Sequence, residues 1–287
     1  MEKKVLAIHD ISCIGRCSLT VALPIISAAG AETSVLPTAV LSTHTGEFTG
    51  YTFRDLTSDI EPIANHWKSL GITFDSIYTG YFGSFKQLKI AGEVIDTFKN
   101  EKTLILVDPV MGDHGKLYAN FDESFADEFK LLCEKADIIT PNLTEASLLL
   151  GIPYAENGYD RDYIREILVK LSEIGPEKVV LTGISFDEHE LGCATYDSKT
   201  KEVKFCMDKK TPGRYYGTGD VLASAMLGAV LCGMETGDAA QTAVSFTARA
   251  IERTAESGRN PIYGVDFELG LAEYAMEMKK QRKIMNF

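Results

Sequence analysis

The stretch Leu104-Ile105-Leu106-Val107-Asp108-Pro109-Val110-Met111-Gly112-Asp113 carries the fold in miniature. Four consecutive apolar residues, bounded by the turn pairs Asp-Pro and Gly-Asp, read as a strand buried on both faces that ends in a loop. The pattern recurs outward from it, at residues 5–9, 33–41 and 76–79 on one side and 138–140 and 179–182 on the other. Longer helical patterns fill the gaps, so stacked βα units and a mostly parallel sheet are expected. Helix starts are read at Ser58, where Glu61 completes an S-x-x-E capping box, at Ser84 with Gln87 in the Glu role, and at Asn142 with Glu145. Residues 191–207 read as a hairpin around Asp197-Ser198-Lys199-Thr200, which adds antiparallel strands late. Helices over 221–232, 238–254 and 267 to about 280 complete the chain. No repeat, low-complexity tract or linker interrupts it, so one α/β domain over 1–287 is expected, with a small flap near 46–51.

Composition narrows the function. The 287 residues carry 29 Lys plus Arg against 41 Asp plus Glu, a formal net charge of −12, which argues against a nucleic-acid partner. With 45% hydrophobic residues there is material for a full core, and a disordered chain is excluded. The longest apolar stretch, 222–234, falls well short of the roughly 20 residues that span a bilayer, so no membrane partner is expected. The N-terminal Met1-Glu2-Lys3-Lys4 lacks the apolar core of a signal peptide, which points to the cytoplasm. Six cysteines without a C-x-x-C pair suggest neither a zinc site nor a disulfide framework.

Three strand-end segments carry chemistry, because ligands of an open α/β sheet bind beyond the carboxyl ends of its strands. Gly217-Thr218-Gly219-Asp220 runs into the apolar helix beginning Val221-Leu222-Ala223. Two glycines there allow a tight turn with exposed N–H groups at a helix N-terminus, which is a seat for phosphate. A carboxylate beside an anion seat is repelled unless it has work to do, such as taking a proton from an attacking hydroxyl. The plainer reading makes Gly219 and Asp220 a helix start with Asp as its cap. Asp108 and Asp113, flanking the turn after the opening strand, suit a hydrated magnesium ion on nucleotide phosphates, or else a simple turn. Thr140-Pro141-Asn142-Leu143-Thr144-Glu145 reads either as a capping box or as a helix start that turns Glu145 toward a cation. Neither a P-loop nor a Rossmann glycine motif is present.

Together these segments resemble the ribokinase superfamily of ATP-dependent small-molecule kinases, and within it the pyridoxal (vitamin B6) kinases. The resemblance rests on the Gly-x-Gly-Asp box at 217–220, the Asn-x-x-Glu box at 142–145 and Asp108-Pro109-Val110-Met111-Gly112. It is extended by Ser42-Thr43-His44-Thr45-Gly46 and Thr79-Gly80-Tyr81. It implies a three-layer α/β/α sandwich around a mostly parallel sheet, and phosphorylation by ATP of the 5′-hydroxymethyl group of a B6 vitamer. Asp220 matches the family's catalytic base, and Gly217, Thr218 and Gly219 match its anion hole. Glu145 matches the residue that organises magnesium, with Asp108 nearby. Thr140, Asn142, Thr182 and Gly183 match the ATP site, where a monovalent cation, K+ or Na+, is also implied. Asp113 and Tyr118 resemble the loop over the nucleotide phosphates, and His44, Thr45 and Tyr81 match residues that hold or stack on the pyridine ring. A homodimer is implied as well.

One departure stands out. Ile8-His9-Asp10-Ile11 occupies the place of an Ile-Gln-Ser-His segment common in these kinases. Asp10 is then left to accept a hydrogen bond from the substrate ring or to select an amine-bearing vitamer such as pyridoxamine, with Ser12 two positions on. The plainer readings make His44 a partner for a loop carbonyl, Tyr81 a core residue and Trp67 buried packing. The competing functions are a hydroxymethylpyrimidine kinase, a sugar or nucleoside kinase, and a B6-binding or storage protein. The segment Thr43-His44-Thr45 favours the vitamin B6 reading over the other two kinases.

Overall fold

Apolar residues alternate between two cores along each central strand, and this alternation sets the layers. In β1 (Lys3–Ile14), Leu6 and Ile8 face one core and Val5 faces the other. The computed structural model describes residues 2–118, 121–122 and 124–284. After β1 come α1 (Leu19–Ala28), β2 (Ala31–Thr43), β3 (Phe53–Asp55), α2 (Thr57–Ser69), β4 (Ser76–Thr79) and α3 (Phe85–Phe98). Next are β5 (Leu104–Val107), the short β6 (Gly112–Asp113) and β7 (Lys116–Leu117), α4 (Ser124–Cys133), β8 (Ile138–Ile139), α5 (Leu143–Leu150) and α6 (Arg161–Ser172). The chain ends with β9 (Lys178–Ile184), β10 (Glu190–Asp197), β11 (Val203–Lys209), α7 (Thr218–Leu231), α8 (Thr236–Ser257) and α9 (Leu271–Ile284).

Nine strands form one sheet in the order β11-β10-β9-β8-β5-β4-β1-β2-β3. The six from β9 to β2 run parallel; β10 pairs antiparallel with β9, β11 antiparallel with β10, and β3 antiparallel with β2. Helices α2 to α6 cover one face and α1, α7, α8 and α9 the other, which makes the expected three-layer sandwich. The strand order reverses between β1 and β4, so the carboxyl ends of β1, β4, β5, β8 and β9 converge on one edge. Pairing of β1 with β2 slips between His9 and Ile11, and this bulge re-aims the side chain of Asp10.

The sequence reading of the parallel strands holds, with several ends longer than expected. The late hairpin is β10–β11, turning at Asp197. The opposite edge was not foreseen: β3 pairs antiparallel with β2, and the flap is the loop joining them. The Ser58–Glu61 capping box does not form. Helix α2 starts one residue earlier, with no side-chain cap, because Asp55 at the end of β3 accepts the Thr57 N–H at 2.6 Å. Ser84 does cap α3, but the Gln87 amide oxygen accepts from the Gly83 N–H and its amide nitrogen donates to the Thr38 carbonyl oxygen. Helices α1, α4 and α6 lie in connections where no start was read. Pro24 lies inside α1 and masks its helical pattern, and α6 is capped by Asp160, whose side chain accepts the Tyr163 N–H. Trp67 is half-buried against Phe74, as its plain reading required.

Candidate active site

The anion seat depends on two glycines that differ in kind. Gly217 has φ +70°, and a Cβ there would fall 2.0 Å from the Arg16 carbonyl oxygen, so both its conformation and its close approach exclude a side chain. It stands at the N-terminus of α7 with no side-chain cap, and the N–H groups of Thr218 and Gly219 find no acceptor among the described residues. At Gly219 a Cβ would meet nothing within 4 Å, so the space over those donors is open. Unsatisfied N–H groups at the positive end of a helix, facing open space, form an anion seat. Asp220 is not the cap of α7. It lies inside the first turn, and its Oδ2 accepts the main-chain N–H of Ser18 at 2.9 Å.

A cavity of about 440 Å³ opens in front of this seat. Gly217, Thr218, Gly219 and Asp220 line it from α7, with Asp108, Asp113 and Tyr118 from the segment after β5. Thr140, Asn142 and Glu145 enter at the β8–α5 junction, and Thr182 and Gly183 from β9. Every residue that the resemblance placed at the ATP site or the anion hole therefore meets in one space. Sequence reasoning missed its apolar wall of Leu222, Val244 and Ile251, and its basic residues Lys209, Lys210 and Arg214. The run Lys209-Lys210, just before a glycine box in an acidic chain, was an available signal for the latter.

Charge is concentrated here. Asp108 is buried, and burial together with the Asp220 charge pushes its carboxyl up to about 8, against the opposing influence of the Thr140 hydroxyl. Burial pushes Asp220 up to about 6, with the Asp10 charge adding and the Ser18 N–H opposing. Glu145 is also raised, first by burial and then by Asp108. The capping-box reading of Glu145 holds: its Oε2 completes the box on the Asn142 N–H at 2.8 Å, while its Oε1 accepts the Met111 N–H at 3.2 Å. The second bond ties the β5 loop to α5. None of the three carboxylates has an ion-pair partner among the described residues.

The residues expected on the substrate side lie apart from this cavity. Asp10 is buried at the bulge, where its two oxygens accept from the Ser12 hydroxyl at 3.0 Å and the Ser18 hydroxyl at 2.5 Å. His44 engages both ring nitrogens, Nε2 with the Ile262 carbonyl oxygen at 2.6 Å and Nδ1 with the Gly46 N–H at 3.1 Å. With the Gly46 N–H donating to Nδ1, Nε2 is the donor to the carbonyl, which agrees with the plain reading of a satisfied loop carbonyl. His44 also stacks on Tyr216 at 5.5 Å, and Glu47 pairs with Arg214 at 3.1 Å, so the flap docks on the segment leading to Gly217. Thr45 is half-buried on the flap. Tyr81, half-buried beyond β4, has its ring 5.9 Å from that of Phe121.

Residues 29–264 match the family model described as phosphomethylpyrimidine kinase. The chain belongs to that kinase family. Among curated relatives, the pyridoxal kinase of Dictyostelium discoideum is 31% identical over 248 residues, covering 79% of this chain and 78% of the relative. The solved pyridoxal kinase of Lactobacillus plantarum is 30% identical, covers 97% of this chain and 98% of its own, and superimposes with a TM-score of 0.88. A Bacteroides thetaiotaomicron protein assigned to the phosphomethylpyrimidine kinases is 38% identical in one crystal form, covering 95% and 93% of the two chains with a TM-score of 0.91. Its orthorhombic form contains pyridoxal and is 37% identical, covering 97% and 96% with a TM-score of 0.89.

Proposed function

We propose that Asp220 is the general base in phosphoryl transfer from ATP to the 5′-hydroxymethyl group of a vitamin B6 vitamer. The kinase is an ATP-dependent enzyme of the pyridoxal kinase type. The observation that carries the assignment is the position of Asp220, between an anion seat of bare N–H groups and the Asp10 carboxylate, with one hydrogen bond of its own among the described residues. In the step itself the substrate hydroxyl oxygen attacks the γ-phosphorus, its proton passes to an Asp220 oxygen, and the bond to the β-γ bridging oxygen breaks to release ADP. The Thr218 and Gly219 N–H groups stabilise the negative charge on the moving phosphoryl group. No covalent enzyme intermediate is needed.

The nucleotide lies in the cavity, its base against Leu222, Val244 and Ile251 and its phosphates toward Gly219 and the Lys209–Lys210 pair. Asp108 and Glu145 would hold a hydrated magnesium ion. Two buried, unpaired carboxylates facing an anion seat suit a cation that keeps several waters, and among the described residues no set of three or more ligands forms a protein cage. When bound, magnesium neutralises charge on the phosphates. Thr140 and Thr182 are the candidates for a monovalent-cation site. On the substrate side, Asp10 accepts from the ring or its amine, and Thr45, His44 and Tyr81 enclose the ring.

The test is ADP formation with magnesium and ATP against pyridoxal, pyridoxine, pyridoxamine, hydroxymethylpyrimidine and ribose, with products identified by mass. Turnover on a B6 vitamer that is lost in Asp220→Ala is the expected result. Turnover confined to hydroxymethylpyrimidine or ribose would overturn the substrate, and binding of a vitamer without turnover would favour a storage protein.

A further inference from the structure

Three non-glycine residues among those described have a positive φ. His114 and Lys201 sit at the turns of short hairpins, but Ser18 does not. Its backbone angles are φ 51° and ψ −131°, a region that favours glycine, and it is buried just before α1. It occupies the capping position of that helix yet makes no cap hydrogen bond. Its hydroxyl donates instead to Asp10 Oδ1 at 2.5 Å, and its N–H donates to Asp220 Oδ2 at 2.9 Å. One strained residue therefore joins two carboxylates, the buried Asp10 on β1 and the half-buried Asp220 on α7.

We propose that Ser18 is a positioning residue for phosphoryl transfer, clamping the Asp220 carboxylate to Asp10 through its main-chain N–H and its hydroxyl. This rests on Asp220 being the base. The N–H is the one hydrogen bond Asp220 receives among the described residues, so the orientation of the base follows the orientation of the Ser18 peptide. That peptide is held in turn by the hydroxyl on Asp10, itself fixed from its other oxygen by Ser12. Glycine at this position would adopt the same backbone without strain and keep the N–H. The hydroxyl is the one thing serine adds, and Asp10 is its partner.

The clamp separates two properties that a purely structural residue would move together. Ser18→Gly keeps the N–H, relieves the backbone and loses the hydroxyl, so kcat is expected to fall about tenfold or more, the scale of one hydrogen bond to a charged group. KM for ATP stays near its wild-type value, and the thermal midpoint stays level or rises. Ser18→Ala also loses the hydroxyl but keeps the strain, so kcat falls equally while the midpoint drops. In an Asp10→Asn background, Ser18→Gly is expected to cost little further kcat, because the clamp is already open. Wild-type kcat in Ser18→Gly would overturn the proposal, as would losses that multiply in full with Asp10→Asn. Asp220→Asn is run alongside: near-normal turnover there removes the base itself, whereas an inactive Asp220→Asn with an unaffected Ser18→Gly removes the clamp alone.

Discussion

A carboxylate serves best as a general base when its proton affinity lies near the working pH, and burial has moved Asp220 in that direction, up to about 6. Only the ionised form accepts the substrate proton, so kcat at saturating ATP is expected to be level above neutrality and to fall as the pH drops through about 6. A profile flat down to about pH 5 would place the base elsewhere. Asp220→Asn should lower kcat by about two to four orders of magnitude, the usual scale for losing a general base, while ATP binding measured by calorimetry persists. Asp220 and its glycines could be read from sequence because the whole device is local: a tight turn, bare N–H groups and one carboxylate within four residues. Ser18 could not. Its bond to Asp220 spans 202 positions, and before a helix a serine looks like an ordinary cap. His44 shows the same limit from the other side, since its sequence context suits a substrate ligand while the Ile262 carbonyl that occupies its Nε2 is 218 positions away.

Helix α5 shows how one short element can serve both stability and site geometry. Asn142 accepts the Glu145 N–H at 2.9 Å and donates to the Gly112 carbonyl oxygen at 2.9 Å, so it caps α5 and also anchors the β6–β7 ribbon. Asn142→Ala removes both bonds and is expected to destabilise the protein by about 1–2 kcal/mol. Urea unfolding would show the change as a lower midpoint at constant slope. The ribbon carries Asp113 and leads to Tyr118 over the cavity, so KM for ATP should rise more than kcat falls. A lowered midpoint with unchanged KM would confine Asn142 to capping. Gly217→Ala is a sharper test at the head of α7, because a Cβ 2.0 Å from the Arg16 carbonyl oxygen forces the backbone apart, and both stability and turnover should drop. At this scale, elements with a strong local signal were legible, such as β5 with its four apolar residues. Elements defined by a neighbour were not. The three-residue β3 exists because β2 offers it an edge, and α2 starts where Asp55 of that strand accepts its N–H.

Across the whole molecule, an acidic chain raises the carboxyls of Asp108 and Asp220 in the cavity proposed for the nucleotide, and that arrangement makes stability depend on pH in an unusual direction. Asp75, with its hydrogen bonds from the Lys4 N–H and the Lys3 ammonium, is held below its ordinary range and stabilises the fold as pH rises past about 4. Asp108 and Asp220 work the other way. Their folded-state values, about 8 and about 6, lie above the unfolded 3.8, so the folded chain holds protons that the unfolded chain has released. The stability they contribute is complete below about pH 4 and is lost as the pH rises through about 6 and then about 8. The ligand-free kinase should therefore melt at a lower temperature at about pH 9 than at about pH 6, and Asp108→Asn should flatten that decline. If Asp108 and Glu145 hold magnesium as proposed, the metal–nucleotide complex would favour their ionised forms, and the rise in melting temperature that it produces should grow over the same interval. A ligand-free melting temperature that stays level or increases across this range would show that the buried carboxyls are ionised before the nucleotide arrives. The charge at the site would then be balanced within the protein, with Lys209, Lys210 and Arg214 as the cations lining the cavity.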